Sequence, residues 1–183
     1  MRKLPHDEID RLSKAEFKLA PKHRISIVLQ DIRSIHNVGS MFRTADAAAI
    51  EQIVVTGVTG TPQHRGIRKT ALGAEESVAW SQVRDPTVAI RSFRDDGYTV
   101  AALEITDRPK AIADTTYEDF PLLLVVGNEV NGLSTDVMNL ADFAIEIPQY
   151  GTKQSLNVAV AFGIAVFGLV DRYRQLFGNP ESS

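Results

Sequence analysis

Hydrophobic residues along the chain follow two alternating patterns. Short runs rich in valine, isoleucine and leucine are typical of buried strands. They predict strands over 25–30, 53–56, 98–103, 122–126 and 143–147. Between these runs, apolar residues recur at helical spacing, which predicts helices over 7–17, 40–49, 67–72, 86–94, 135–140 and 155–177. Strands that alternate with helices predict an α/β fold, with a mostly parallel sheet and helices on both faces.

The last predicted helix differs from the others because it is apolar nearly all round from 158 to 170. A helix of this kind must bury more than the single stripe that faces a sheet. Two explanations are open. The helix forms a subunit interface in a homodimer, or it is sandwiched inside the monomer.

Length and composition narrow the class of protein. A chain of 183 residues suits one domain, 1–183, with 1–24 as a helical extension before the first strand. It contains no cysteine, and its four histidines show no metal-ligand spacing, so we expect no disulfide and no metal site. The start of the chain lacks the apolar core of a signal peptide, and 158–170 is too short to span a bilayer. We therefore expect a cytoplasmic protein without a membrane partner.

Charge argues against a protein that coats nucleic acid, because the net charge is −3 and such domains are usually basic. Basic residues nevertheless cluster in two places. The clusters are Lys14, Lys18, Lys22, His23 and Arg24, and His64, Arg65, Arg68 and Lys69. Each cluster is either solvated surface or a local patch for a polyanion.

Three strings of glycine and polar residues follow predicted strands, where open α/β sheets bind their ligands. They cover 37–45, 127–132 and 147–158. The spacing of Gly127 and Gly132 is that of a phosphate-binding P-loop, but Leu133 and Ser134 stand where Lys and Ser or Thr would be required. Nucleoside triphosphate hydrolysis is therefore not expected.

Individual residues of these strings have simpler explanations. Asn37 and Ser155 could each be the N-cap of the helix that follows. Arg43 could be a surface residue one turn further on. Glu129 could pair with a cation, hold an arginine, or face water. The argument for a site lies in the convergence of the three strings at loops after strands.

Together and in this order, the strings resemble the signature motifs of the SPOUT class of RNA methyltransferases, and most closely its TrmH-like (SpoU) branch. The first motif is matched by Asn37-x-Gly39-x-x-x-Arg43-Thr44-Ala45, the second by Gly127-Asn128-Glu129-x-x-Gly132, and the third by Ile147-Pro148 with Ser155-Leu156-Asn157-Val158. Lys69-Thr70-Ala71-Leu72-Gly73-Ala74-Glu75 is also similar to this branch. Gln149 departs from it, because relatives often have methionine there.

The resemblance implies a homodimer with a C-terminal trefoil knot over 121–177 that holds S-adenosylmethionine. The implied cofactor-binding residues are Leu103, Glu104, Gly127, Asn128, Gly132, Ile147, Pro148 and Leu156. The implied reaction is methyl transfer to a ribose 2′-hydroxyl of RNA, with tRNA favoured over rRNA and no DNA partner expected. Because only 1–24 precede the first strand, we expect the catalytic domain itself to hold the RNA.

The catalytic residues that the resemblance implies are Arg43, Asn37, Glu129, Ser155 and Asn157. A guanidinium with a pKa above about 12 is a poor proton acceptor at neutral pH. Our hypothesis is that Arg43 holds the target phosphate and stabilises the forming alkoxide, while Glu129 orients Arg43 or Asn37. Two rival functions stay open: methylation of an RNA base, and a SPOUT-like RNA-binding protein that has lost activity.

Overall fold

The computed structural model describes residues 1–5 and 8–180, and its strands and helices alternate along the chain. The strands are β1 (His23–Gln30), β2 (Ile50–Thr56), β3 (Ala79–Val83), β4 (Thr99–Leu103), β5 (Leu122–Val126) and β6 (Phe143–Ile145). The helices are α1 (Lys14–Leu19), α2 (Ile35–Ala47), α3 (Arg65–Ala71), α4 (Ala74–Ser77), α5 (Pro86–Asp95), α6 (Thr135–Met138) and α7 (Val158–Phe177).

The six strands form one sheet in the order β3-β2-β1-β5-β4-β6, and each of the five pairings is parallel. This confirms the predicted α/β fold with a mostly parallel sheet. The sequence did not predict β3, which lies at the edge. Its residues Ala-Trp-Ser-Gln-Val are exposed or half-buried, so β3 lacks the apolar run that marks the buried strands.

Helices cover both faces of the sheet, and each face has its own core. Alternate side chains of β5 point to opposite faces: Leu122, Leu124 and Val126 belong to one core, and Leu123 and Val125 to the other. The first core is completed by α2, α3, α4 and α7, and the second by α5 and α6. Burial on both faces explains why β5 is a continuous apolar run.

Four helices begin at residues other than those predicted, and α3 among them begins at Arg65 and not at 67. The helix α1 begins at Lys14 after a capping box between Ser13 and Glu16, and the predicted cap Asp7 lies outside the described residues. The N-cap of α2 is Ser34, six residues before the predicted start at 40, so the alternative that Asn37 is a cap is wrong. Asn157, not Ser155, caps α7, because its side-chain oxygen accepts the N–H of Ala159 at 2.9 Å.

The helix α7 is partly inside the monomer and partly exposed. Phe162, Val166 and Leu169 are fully buried against the sheet. Val160, Ile164 and Phe167 lie on the opposite side of the helix and are 46–51% exposed. The monomer therefore covers one face of α7 and leaves an apolar stripe uncovered.

No helix within 1–5 and 8–180 is long and apolar enough to cross a membrane. The trefoil knot over 121–177 and the organisation of 1–183 as one domain stay predictions.

Candidate active site

The carboxyl ends of β4, β5 and β6 meet at a cavity of about 240 Å³. In a parallel sheet these ends lie at one edge, and in open sheets this is the edge that binds ligands. The lining residues are Leu103, Glu104, Ile105, Val126, Gly127, Asn128, Glu129, Val130, Gly132, Ile145, Glu146, Ile147, Gln149, Gln154, Ser155, Leu156, Val158 and Ala161.

Seven of the eight residues predicted to bind the cofactor line this cavity, and Pro148 does not. Ile145 and Glu146 also line it but were not among the predicted site residues. A signal for them was present, because they lie in the predicted strand 143–147, whose last residue Ile147 was selected. The motif, however, begins only at Ile147.

The wall of the cavity depends on a close approach of two backbone segments at Gly127. A Cβ atom added there would lie 2.4 Å from the carbonyl carbon of Gly132 and 2.5 Å from the nitrogen of Leu133. Backbone hydrogen bonds in both directions join Asn128 and Gly132, at 3.1 and 3.0 Å. The carboxylate of Glu104 secures the same loop by accepting the N–H of Leu133 at 3.0 Å. A side chain larger than hydrogen at Gly127 does not fit this arrangement.

Glu129 joins the loop after β5 to the loop after β1. Its carboxylate accepts the backbone N–H groups of Arg33 and Ser34, at 3.0 and 3.1 Å, and the side-chain amide of Asn37 at 3.0 Å. Burial raises the pKa of the Glu129 carboxyl, but these hydrogen bonds outweigh burial and lower its pKa below the ordinary value. Glu129 is therefore held ionised by three donors.

Asn37 connects Glu129 to the start of α7. The side-chain oxygen of Asn37 accepts a hydrogen bond from Nδ2 of Asn157 at 3.3 Å. Because Asn157 also caps α7, the three residues join the ends of β1, β5 and the last helix. Neither Asn37 nor Asn157 lines the cavity, and hydrogen bonds link both to it through Glu129 at its mouth.

The structure brings four of the five predicted catalytic residues to one place. Asn37, Glu129 and Asn157 form the hydrogen-bonded network, and Ser155 lines the cavity. Arg43 lies elsewhere. It stands six residues beyond Asn37, about 9 Å further along α2 and on a different side of the helix.

Arg43 is exposed and lines a second cavity, of about 560 Å³, between α2, the N-terminal segment and the α3–α4 turn. Glu129, which was predicted to orient Arg43 or Asn37, forms its side-chain hydrogen bond with Asn37.

Negative charge characterises the first cavity. Three of its lining residues are glutamates, Glu104, Glu129 and Glu146, and none is a Lys, Arg or His. Leu103, Ile147 and the other aliphatic residues supply apolar walls. Such a site favours a ligand that combines an apolar part with a positive charge, and it disfavours phosphate groups. In the part of the chain that the structure describes, no group of three or more potential metal ligands occurs.

A parallel α/β sheet with an acidic, loop-walled cavity at its carboxyl edge defines a class of small-molecule-binding domain. Comparison with known families makes the assignment specific. Residues 24–167 match the SpoU rRNA Methylase family, and the chain belongs to this family.

Three similar proteins support the assignment. The chain is 30% identical over 160 residues to a tRNA (guanosine(18)-2′-O)-methyltransferase of Aquifex aeolicus, covering 86% of this chain and 74% of that protein. It is 29% identical over 153 residues to a TrmH family protein of Staphylococcus haemolyticus, which covers 84% of this chain; the chain spans only 61% of that relative's length. The structure of an AdoMet-bound rRNA methyltransferase from Sinorhizobium meliloti is 26% identical, with a TM-score of 0.74 over 87% of this chain and 59% of that one.

Proposed function

We propose that this protein transfers the methyl group of S-adenosylmethionine to a ribose 2′-hydroxyl of RNA. The observation that carries the proposal is the acidic, apolar-walled cavity beside the network of Asn37, Glu129 and Asn157. The names of the similar proteins from Aquifex aeolicus and Sinorhizobium meliloti support the reaction and the cofactor.

The residues of the cavity suit this cofactor. Leu103, Ile147 and Leu156 offer apolar surface to an adenine ring. The carboxylates of Glu104 and Glu146 favour a molecule that carries a sulfonium and an ammonium group. When bound, S-adenosylmethionine supplies a methyl group that its sulfonium has already activated.

The protein's contribution is therefore alignment of the 2′-oxygen and removal of its proton. We assign alignment to the Glu129 network, which fixes the loops after β1 and β5 relative to each other. We assign contact with the ribose to Ser155, which is exposed at the cavity wall. In this proposal Arg43 holds the target phosphate and stabilises the forming alkoxide.

The position of Arg43 favours an active site that two chains share. Arg43 lines the second cavity of its own chain, not the first. Its side chain is exposed on α2, and α2 packs against α7. The stripe of Val160, Ile164 and Phe167 on α7 is left exposed. We propose a homodimer that covers this stripe and brings Arg43 to the first cavity of the partner.

Mixing two inactive variants tests the shared site. Arg43→Ala and Glu129→Ala are each expected to lose methyl transfer and to keep cofactor affinity. If Arg43 serves the partner's cavity, a mixed dimer has one complete site, and mixing restores part of the activity. No recovery after proven subunit exchange would place Arg43 in its own chain's site. Large loss of cofactor affinity in Arg43→Ala would contradict its assigned role.

The reaction itself is tested by transfer of labelled methyl from S-adenosylmethionine into separated tRNA and rRNA, followed by nucleoside analysis. Label in a 2′-O-methylnucleoside of tRNA is the expected result. Label in rRNA would change the substrate, and label in a base would change the reaction. A protein that transfers no label and does not bind the cofactor would leave an RNA-binding function.

We propose the cytoplasm as the compartment, in keeping with the absence of cysteine.

A further inference from the structure

The two packed helices α2 and α3 concentrate positive charge in a chain of net charge −3. Segment 32–45, which holds α2 up to its last turn, and segment 52–73, which holds all of α3, include no Asp or Glu. The one acidic residue of the two helices is Asp46, which accepts a hydrogen bond from the Ser77 hydroxyl. Their Arg and Lys residues are Arg33, Arg43, Arg65, Arg68 and Lys69. All five side chains are exposed, and none forms an ion pair with any of the described residues. Local charge is thus opposite in sign to that of the whole chain.

Close packing places α3 beside the part of α2 that leads to the active site. A Cβ atom at Gly39 would lie 2.7 Å from the carbonyl oxygen of Ile67 and from Cβ of Thr70, so the helices touch through their backbones. Nδ1 of His36 lies 3.3 Å from Oγ1 of Thr70. His36 directly precedes Asn37, the residue bound to the Glu129 carboxylate. Helix α3, which carries Arg65, Arg68 and Lys69, therefore packs beside the part of α2 that contains Asn37. Arg33 donates its backbone N–H to Glu129 at the mouth of the first cavity.

Several of the other basic residues that the sequence offered as RNA contacts are engaged within the fold. Lys14 pairs with Glu76 at 2.5 Å. The ammonium of Lys22 donates to carbonyl groups at the end of α1. Arg24 lies over the ring of Tyr98, near the amino ends of the strands and away from the cavity. Lys14, Lys22 and Arg24 are thus engaged within the fold, whereas Arg65, Arg68 and Lys69 of α3 form no ion pair with any of the described residues.

We propose that the basic face, defined by Arg33, Arg65, Arg68 and Lys69, binds the phosphate backbone of the RNA strand that presents its ribose to the active site. This inference rests on the proposed function, which makes RNA the substrate. The three glutamates of the cavity repel phosphates, so the backbone of the strand stays outside it. The basic face is the adjoining surface of opposite charge. Its contacts give affinity that depends on salt and not on base sequence.

Binding of fluorescently labelled, unfractionated tRNA over a series of salt concentrations tests the proposal. The double variant Arg65→Ala/Arg68→Ala is compared with Arg24→Ala/Arg91→Ala, which removes the same charge from exposed positions elsewhere. At low salt the first variant is expected to bind tRNA at least about tenfold more weakly. The slope of log affinity against log salt is expected to become less steep by about 1.5. The control variant is expected to keep wild-type affinity and slope.

Thermal unfolding and S-adenosylmethionine binding of the same variants show whether a loss of tRNA affinity is specific. If Arg65→Ala/Arg68→Ala keeps the wild-type affinity and slope, or if the control loses as much, the proposal is overturned. Methyl transfer is measured separately. A wild-type protein that binds tRNA through this face but transfers no methyl would refute the proposed function alone. Normal methylation with unimpaired tRNA binding by the Arg65/Arg68 variant would refute the basic face alone.

Discussion

Replacing Gly127 with alanine is a direct test of how the cavity wall is built. The added Cβ would stand 2.4 Å from the carbonyl carbon of Gly132 and 2.5 Å from the nitrogen of Leu133. Non-bonded carbon atoms settle at about 3.5–4.0 Å. Both neighbours are backbone atoms and cannot rotate away, so the 132–133 segment must retreat by about 1 Å.

The contacts of the 132–133 segment allow the free-energy cost of this displacement to be estimated. It strains the paired backbone hydrogen bonds between Asn128 and Gly132 and the bond from the Leu133 N–H to Glu104. Forcing one extra methyl group into well-packed surroundings typically costs about 1–3 kcal/mol. For a chain of this length, a loss of about 2 kcal/mol lowers the midpoint of thermal unfolding by about 4–8 °C. A displaced wall should also weaken S-adenosylmethionine binding by at least about tenfold, equivalent to ~1.4 kcal/mol.

Thermal unfolding and isothermal titration with S-adenosylmethionine measure the two effects of Gly127→Ala. The matched control is Gly151→Ala, where an added Cβ meets no atom within 4 Å. The control is expected to leave the unfolding midpoint and the cofactor affinity near their wild-type values. If Gly127→Ala behaves like the control in both measurements, the wall does not depend on this close approach, and the reasoning fails.

Three further predictions concern the network, the core and the surface. Glu129→Gln should lower the free energy of unfolding by about 1–2 kcal/mol, because its NH₂ group replaces one of the two oxygens and so opposes the N–H donor of Arg33 or that of Ser34. An unchanged urea midpoint would contradict this. Burial lowers the pKa of His23 in the folded state below its ordinary value of 6.5. The contribution of neutral His23 to the free energy of unfolding is therefore fully present above pH 6.5, and it is lost as the pH falls through the lowered folded-state pKa. Urea denaturation of His23→Gln should show a smaller fall between neutral and acidic pH. Phe167→Asp places a charge on the exposed stripe of α7, and sedimentation should show monomers; a persistent dimer would locate the interface elsewhere.

The sequence predicted the strands that bury both faces and missed the one that does not. Over 122–126 every residue is aliphatic, because each side chain enters one of the two cores. The edge strand β3 has no such constraint, and Ala79–Val83 carried no pattern to detect. Helix starts were misplaced for a related reason. An N-cap is decided by which side chain reaches a free N–H, and Asn37, Ser155 and Asn157 are all chemically able to do so.

The sequence predicted which residues belong to the site better than it predicted how they are arranged. Glycines and polar side chains at strand ends were visible in the chain, and most of the selected residues do line one cavity or its mouth. The sequence did not show which of these residues contact one another. Residues Asn37 and Glu129 are 92 positions apart, and only the pairing of β1 with β5 brings their loops together.

What the sequence by itself determined is the class of fold and the family, since periodicity and motif order are local properties of a chain. The tertiary structure alone decided which charges compensate each other and which remain exposed. In the folded chain Glu129 accepts hydrogen bonds from three donors, and the cations of α3 stay exposed. Arg43 lines the second cavity and not the first. These outcomes depend on distances between residues far apart in the chain, and the packing of α2 against α3 and α7 fixes those distances.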